Sequence, residues 1–562
     1  MTESALQNTL SGLLAFGSSA ITIFLMVGIV TDPVNAPKMF LLGGVSGAAV
    51  CLTGFFFFAN KDKPRILDYV LFGFVAWSAI AVLNSNSPLT QNIYGTYGRN
   101  TGWLTYLLLA FLAMGASRVR FSKNFERIVT GFLVASGINL LYGTWVIIFG
   151  DFLGWNNIYG ALLGTFGNPN FISSFLGMSF SAVFAISFGL KKNFKLFAIA
   201  ILPVIAFQLV KADSLQGVVV AGLGTWLVGF FWLRGKFEAK LISWVYFLAG
   251  SIFGAFGVLG ALGHGPLKQA LAQPTVALRE QYWLAAWKMA QGHPIFGVGM
   301  DSYGDWYRRA RSAQALITPG PDTVTNVAHN VFLDLLACGG FPLLLLYLIF
   351  VGCGFVAVLK VLNRHSKYDS TFVTLTVLWI GFQAQSIISI NQIGLAIWGW
   401  LLTGLLVAYE INSREKDSPQ VHSKQGKAKK KSSGEVFSPQ LVAFIGGVIG
   451  LMIAVPPLSA DLKWRSIQTS GQVSQLDSAF AGGYMSPLNS YTLASAVQLL
   501  ENSKLPDLAI NYARQGVKFN PSNLDAWKML YYSTNSTPQE KSQAKLEMIR
   551  LDPLNPEWKK LS

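Results

Sequence analysis

The sequence predicts an all-α fold: a polytopic helical membrane protein of about 12–13 transmembrane helices, followed by a small C-terminal helical-repeat domain. Composition is the first reason, because 52% of the 562 residues are hydrophobic and only 12% are charged, about half the charged share of a soluble domain. Apolar runs are the second. The stretches 13–30 and 341–359 each reach the length of roughly 18–20 residues that crosses a bilayer as a helix. Residues 458–562, by contrast, have the composition of a soluble domain.

Thirteen membrane spans follow from the apolar runs. The first is expected to be a retained span and no signal peptide, because it has an uncharged flank, no cleavage site of small residues and further spans behind it. Residues 1–457 therefore form the predicted transmembrane core. The spans are predicted near residues 9–30, 36–59, 66–84, 102–117, 128–150, 169–189, 196–210, 216–233, 241–262, 329–359, 370–388, 391–411 and 439–457.

Basic loops alternate along the chain with loops that are poor in Lys and Arg. The short loops that are poor in Lys and Arg hold only Lys38, Arg99 and Lys211. By the positive-inside rule, the basic loops and the N-terminus are cytoplasmic, whereas the loop 263–328 and the tail 458–562 are extracytoplasmic. The net charge of +16 therefore reflects orientation in the lipid bilayer, and no nucleic-acid partner is expected. The basic loops are 60–65, 118–127, 191–195, 234–240, 360–367 and the linker 412–438.

The tail repeats itself. The stretches SPLNSYTLASA, NPSNLDAWKML and DPLNPEWKKL place Pro487, Pro521 and Pro553 at spacings of 34 and 32 residues. Because tetratricopeptide repeats have a period of 34 residues, a short stack of helical hairpins is predicted. An unrelated helical cap is the alternative. By analogy of fold alone, the repeats suit the binding of a protein partner.

Polar residues collect at the extracytoplasmic ends of the spans. They occur in YGTYGRNTGW before span 4, TFGNPNF before span 6, KADSLQG between spans 7 and 8, the loop 263–328, and AHN at the start of span 10. Their convergence on one side of the membrane predicts a functional site there. The candidate residues are Arg99, Asn168, Asn170, Lys211, Ser214, Arg279, Trp283, His329 and Asn330.

Each candidate also has a structural interpretation. An arginine at the end of a span, such as Arg99, often extends to the interface, and GNPN is a turn signature in itself. A histidine at a helix start, such as His329, is often a capping residue. The charged run RRAR at 308–311 is expected to be a solvated face.

The chemistry of the candidates favours glycosyl transfer from a polyprenyl diphosphate donor. Guanidinium groups bind phosphate oxygens in pairs and stabilise charge on a leaving diphosphate, while a neutral histidine accepts a proton from an attacking hydroxyl. No carboxylate stands at D-x-D spacing with Asp32, and no paired Cys or His offers a zinc site, so neither metal nor cofactor is expected. The alternative is a transporter of a small solute such as bicarbonate, with Asp334 as its membrane carboxylate.

The order of these motifs resembles the O-antigen ligase and polymerase superfamily of bacteria. The resemblance covers roughly residues 60–410. It implies a GT-C-like helical fold in the bacterial inner membrane and metal-independent, inverting transfer of a glycan from undecaprenyl diphosphate. Its most specific part is 279–343, with Arg279, Trp283, Pro294, Gly297, Gly299, His329, Asn330 and Gly340 in that order.

The resemblance also implies roles for individual residues. His329 corresponds to the catalytic histidine, and Arg279 to an arginine that handles the diphosphate. A further arginine often follows the serine of the extracytoplasmic turn in this superfamily, whereas Leu215 follows Ser214 here, so Lys211 or Arg99 is the expected substitute. The acceptor stays open among lipid A core, a growing glycan and a protein hydroxyl.

Overall fold

A computed structural model describes residues 3–58, 62–155, 157–237, 240–271, 274–417 and 438–561. All regular structure in these residues is helical, in agreement with the predicted fold class. Most of the predicted basic linker 412–438 lies outside the described residues. The helices are α1 (Glu3–Ile23), α2 (Asn35–Phe58), α3 (Ile66–Leu83), α4 (Leu89–Tyr94), α5 (Trp103–Ala116), α6 (Ser122–Phe149), α7 (Pro169–Ser187), α8 (Lys192–Lys211), α9 (Leu215–Phe237), α10 (Lys240–Ala261), α11 (Lys268–Leu271), α12 (Pro274–Gly292), α13 (Tyr303–Ala310), α14 (Val331–Arg364), α15 (Ser370–Ser386), α16 (Ile393–Asp417), α17 (Pro439–Ser470), α18 (Leu476–Ala479), α19 (Ser490–Asn502), α20 (Pro506–Phe519), α21 (Leu524–Tyr532), α22 (Pro538–Leu551) and α23 (Glu557–Lys560).

A helix occupies each of the thirteen predicted spans. Ten of the described helices are long and apolar enough to cross a membrane. The other three predicted spans coincide with α1, α5 and α15, of which α5 is a shorter apolar helix of 14 residues. The chain is a polytopic helical membrane protein.

Alternate loops gather at opposite ends of the helical bundle. At one end, Asn35 donates a hydrogen bond of 2.8 Å to the Gly98 carbonyl, and the Thr96 N–H donates one of 2.8 Å to Asp301. At the other end, Arg118 forms a buried ion pair with Asp68. We call the first end, where residues 84–102, 262–271, 274–330 and 387–392 meet, the loop face.

Helix α14 is broken at Gly340, whose φ of +74° and ψ of −177° are not helical. Pro342 has no N–H, so the helical hydrogen bond that the Cys338 carbonyl would accept from residue 342 cannot form. The freed carbonyls of Ala337 and Cys338 instead accept hydrogen bonds of 2.9 and 3.1 Å from the N–H groups of Val298 and Gly299. The break thus fastens the segment 293–299 of the loop face to a membrane helix.

A further hydrogen bond at the break in α14 explains why position 340 is a glycine. The Phe341 N–H donates to the Pro294 carbonyl at 2.8 Å. A Cβ atom on Gly340 would lie 2.2 Å from the Ile295 carbonyl oxygen, so the close approach of the two segments requires glycine.

The last membrane helix continues beyond the predicted end of its span. Helix α17 runs to Ser470, and Trp464 and Ile467 on its final turns belong to a hydrophobic core formed by α18–α23. Helices α19 and α21 begin 34 residues apart, and Asn489 and Asn523 cap them in the same way. We call residues 471–561 the C-terminal segment; the tetratricopeptide interpretation of it stays a prediction.

The C-terminal segment packs on the loop face. The prediction that RRAR at 308–311 is a solvated face is wrong for Arg311, whose side chain is fully buried and forms an ion pair of 2.7 Å with Asp552. The sequence pattern could not show this, because the partner lies 241 residues away.

Candidate active site on the loop face

His329 lies in a tight turn directly before α14. Its φ of +50° is unusual for a residue with a side chain, and such strain often marks functional sites. Three hydrogen bonds hold the turn. Asn330 caps the helix by accepting from the N–H groups of Phe332 and Leu333 at 3.0 and 3.1 Å, and Asp334 accepts from the Ala328 N–H at 3.1 Å. The side-chain oxygen of Asn330 thus has a capping role.

Two guanidinium groups and a tyrosine surround the His329 imidazole. Its ring centroid lies 5.6 Å from that of Tyr282. Burial, together with the positive charges of Arg99 and Arg279, lowers the pKa of His329 to about 3. The imidazole is therefore neutral near pH 7 and has a lone pair for a proton. The predicted candidates His329, Arg279 and Arg99 come from three separate segments, and both arginines lie near enough to the imidazole to act on its charge.

The turn that carries Arg99 is organised around one carboxylate. Oδ2 of Asp301 accepts from the N–H and hydroxyl of Thr96 at 2.8 and 3.3 Å, and from the N–H and hydroxyl of Thr101 at 3.3 and 3.2 Å. Burial lowers the pKa of Arg99, and the negative charge of Asp301 opposes this decrease. Asp301 thus orders the backbone on both sides of Arg99.

A small cavity of about 40 Å³ lies beside Arg99. Amide side chains of Asn35, Asn391 and Gln392 line it, together with the Asp334 carboxylate. These amides and Asp301 are not among the candidates predicted from the sequence. For Asn391 and Gln392 a signal existed: the polar stretch SINQ interrupts two apolar helices at 389–392. Asp301 had no such signal, because its partners lie about 200 residues earlier.

Helix α12 presents the other basic group of the site. Burial lowers the pKa of Arg279, and nearby Tyr282 opposes the decrease. The hydroxyl of Tyr303 on α13 donates to the Tyr282 carbonyl at 2.7 Å, which ties α12 to α13. The indole N–H of Trp283 is buried, with no hydrogen-bond partner in the described part of the chain.

The remaining candidates form a second cluster between α7 and α9. The side-chain oxygen of Asn168 caps α7 by accepting a hydrogen bond of 2.9 Å from the Asn170 N–H. The Ser214 hydroxyl donates to Oδ1 of Asn170 at 2.8 Å. The turn places the adjacent Phe171 in the wall of the Arg99 cavity. Lys211, in contrast, is exposed at the end of α8, with Nζ 5.6 Å from the centre of the Phe207 ring.

The three basic residues of the short loops that are predicted to be extracytoplasmic thus have different environments. Lys38 is fully buried, and its ammonium donates to the carbonyls of Ile21 and Thr22 at the end of α1. Its role in this structure is to cap a helix. Arg99 alone of the three lines the cavity next to Asp334.

No group of three or more His, Cys, Asp or Glu side chains suited to a metal ion occurs in the described residues. The carboxylate of Asp461 lies near that of Asp32 and accepts from the N–H groups of Thr31 and Asp32 at 3.1 and 2.9 Å. The Asp32 carboxylate itself accepts from Val34, Asn35 and Ala36. These oxygens therefore stabilise the start of α2.

Comparison with known proteins gives one family. A family model described as O-antigen ligase matches residues 172–348. The matched region runs from α7 to the middle of α14 and includes Lys211, Ser214, Arg279 and His329, but neither Arg99 nor the C-terminal segment. No curated protein matches the chain. The match confirms the resemblance to the O-antigen ligase and polymerase superfamily.

Proposed function

We propose that this chain, with its O-antigen ligase domain at residues 172–348, transfers a glycan from an undecaprenyl-diphosphate-linked donor to an acceptor hydroxyl at the loop face. One observation carries the proposal: the neutral imidazole of His329 lies near the guanidinium groups of Arg99 and Arg279. A neutral base beside two fixed positive charges suits a reaction in which a hydroxyl loses a proton and a diphosphate leaves.

The reaction is a single displacement. The acceptor oxygen attacks the anomeric carbon from the side opposite the diphosphate, and its proton passes to the free nitrogen of His329. The bond between the anomeric carbon and the diphosphate oxygen breaks, and undecaprenyl diphosphate leaves with the electron pair. The configuration at the anomeric carbon inverts.

The two guanidinium groups stabilise the leaving group. Arg99 and Arg279 are both partly buried, so their attraction for a diphosphate is less screened than at an open surface. Each guanidinium offers a planar pair of donors to phosphate oxygens. Arg99 takes the place of the arginine that is missing after Ser214, whereas Lys211 contributes at most a more distant charge.

Donor binding also prepares the base. In the free protein the positive charges of Arg99 and Arg279 help to lower the pKa of His329. A bound diphosphate carries negative charge to these two groups and offsets their effect on the imidazole. His329 therefore becomes a stronger base when the donor is in place, which couples proton transfer to a loaded site.

Asp334 fits this proposal better than the transporter alternative. It lies on the first turn of α14, where its carboxylate accepts from the Ala328 N–H and lines the Arg99 cavity. A proton-coupled transporter uses carboxylates in the middle of its spans. Asp334 instead helps to shape the turn that presents His329.

The loop face is extracytoplasmic in this proposal, in a bacterial inner membrane with the N-terminus in the cytoplasm. The loop charges support this orientation. The acceptor classes are lipid A core, a growing glycan and a protein hydroxyl, and the C-terminal segment is a candidate surface for a protein partner.

The proposal is tested with purified full-length protein in proteoliposomes that contain an undecaprenyl-diphosphate-linked glycan. Each acceptor class is added in turn, and the glycan product and released undecaprenyl diphosphate are measured by mass spectrometry. We expect equimolar amounts of both, unchanged by a chelator. Uptake of bicarbonate into the same liposomes without any glycan product would instead support the transporter.

A further inference from the structure

The turns of the C-terminal segment meet helix α13 in register. In the turn between α20 and α21, Asn520 donates to Oδ2 of Asp305 at 3.0 Å and Asn523 donates to Oδ1 at 2.9 Å. In the turn after α22, Asp552 forms ion pairs of 2.7 Å with Arg311 and 3.3 Å with Arg308. The turn after α20 and the turn after α22 therefore contact α13 and the residue that directly follows it.

The register follows from the sequence repeat. Asn520 and Asp552 each stand directly before the proline of their repeat, Pro521 and Pro553, so they occupy equivalent positions. On the other side, Asp305 and Arg308 are three residues apart and lie on the same face of α13. Asn520, Asp552 and Arg311 are all fully or almost fully buried. Such burial of charged and polar groups requires close complementarity, because an unpaired charge there is costly.

The same segment also contacts the turn that carries Arg99. The ring of Tyr491 stacks on Tyr97 with centroids 4.8 Å apart and planes 6° apart. Thr90 donates to the Leu488 carbonyl at 3.1 Å. Gln91 joins the two sets of contacts, since it donates to Asp305 at 3.0 Å and to the Asp301 carbonyl at 3.3 Å.

From these contacts we propose that the C-terminal segment acts within its own chain as a clamp, and that Asn520 and Asp552 are positioning residues for glycan transfer. The clamp holds α13 and the Arg99 turn in a fixed relation. Because α13 is tied to Tyr282 of α12, the clamp also fixes Arg279 relative to His329. This inference rests on the proposed function for its catalytic part.

The physical need for a clamp lies in the loop itself. Residues 262–330 connect two membrane helices through α11, α12 and α13, and the segment 317–330 of this connection has no helix. A long connection of this kind has many accessible conformations, which contacts at its middle exclude. A displacement of about 1 Å at a reacting group costs roughly 10²-fold in rate.

The test uses Asp552→Asn in the full-length chain, with Asp525→Asn as the matched control. Asp525 belongs to the same segment but is 61% exposed. Hydrogen exchange of residues 303–316 should be at least about 10-fold faster in Asp552→Asn and unchanged in the control. The kcat of transfer should fall by about 10- to 100-fold, with a smaller change in the KM for the acceptor.

Arg311→Gln provides the second variant, because it breaks the same contact from the loop side and leaves the C-terminal segment intact. It should reproduce both effects, and Arg311→Lys, which keeps the charge, should retain more transfer. Unchanged exchange of 303–316 in Arg311→Gln and Asp552→Asn would overturn the clamp. Faster exchange with an unchanged kcat would overturn the positioning role. If the wild-type protein makes no glycan product, the proposed function fails, and the exchange measurement alone still decides whether the clamp exists.

Discussion

The carboxylate of Asp301 accepts a hydrogen bond of 2.8 Å from the N–H of Thr96, which lies 205 residues earlier in the chain. This contact joins the segment fastened to the break in α14 with the turn that carries Arg99. Asp301 is buried and itself adopts a φ of +52°. A strained, buried acid at this junction points to a geometric requirement of the site.

Asp301→Asn should therefore impair the site through Arg99. The amide keeps the shape of the carboxylate but loses its negative charge and part of its capacity to accept from Thr96 and Thr101. We expect transfer to fall by about 10- to 100-fold, with a higher KM for the donor.

A double-mutant cycle checks this route. In an Arg99→Gln background, Asp301→Asn should add little further loss. Asp322→Asn, an exposed acid in the same loop, serves as the control. Fully additive losses would show that Asp301 does not act through Arg99.

His329→Ala should reduce transfer by about 10²–10⁴-fold, the usual contribution of a general base, while the amount of protein in the membrane stays normal. His264→Ala, at an exposed residue outside the site, is the control. Equal losses in both variants would indicate disturbed folding of the loop and no specific role for His329.

The pH dependence of kcat/KM gives an independent check on His329. Because its pKa is lowered to about 3, the imidazole stays neutral as the pH falls, and kcat/KM should show no loss near the ordinary histidine pKa of about 6.5. Arg279→Gln removes a neighbouring positive charge and should move the acid limb to higher pH. An acid limb near 6.5 in the wild-type protein would contradict the described environment.

Arg279→Ala should lower transfer by about 10²–10³-fold, as expected for the loss of one charge-stabilising contact. Arg279→Lys should recover little of this, since an ammonium cannot form the planar pair of hydrogen bonds. Arg550→Lys, at a side chain that is 52% exposed, controls for the exchange of residue type. Wild-type activity in Arg279→Lys would show that charge alone suffices.

Gly340→Ala should destabilise the joint between α14 and the loop face. The backbone conformation of Gly340 is almost restricted to glycine and costs about 1–3 kcal/mol for other residues, and the added Cβ would lie 2.2 Å from the Ile295 carbonyl. Gly352→Ala in the same helix meets no atom within 4 Å and should stabilise it by up to about 1 kcal/mol. Thermal unfolding in detergent compares the Tm values of the two variants. A Tm of Gly340→Ala equal to that of the wild type would contradict the need for glycine at the joint between α14 and the loop face.

Reporter fusions test the proposed orientation of the chain in the membrane. A fusion after Lys240 should report the cytoplasm, and fusions after Lys288 and Ser503 should report the extracytoplasmic side. The reason is the alternation of basic loops together with the gathering of alternate loops at opposite ends of the bundle. An extracytoplasmic signal after Lys240 would reverse the orientation and the side of the site.

Local patterns predicted the membrane helices well, because each apolar run carries its own signal. The grouping of Arg99, Arg279 and His329 was also within reach, since the loop charges assign all three to one side. The distant contacts that order the loop face were not. Asp301 and Asp552 act through contacts more than 200 residues away in the chain, and a single sequence carries no signal for such pairs.

The break at Gly340 separates the anchoring of α14 from the placement of His329. Residues 341–364 measure about 36 Å as a helix, enough to cross a hydrocarbon core of about 30 Å without help. The preceding residues 331–339 form a strut of about 14 Å whose base is fixed to the segment 293–299. When a bilayer thickens or thins, the helix 341–364 adapts by tilting. The strut 331–339 keeps the distance between His329 and the break at Gly340 unchanged. We therefore expect the proposed site to keep its geometry in membranes of different thickness.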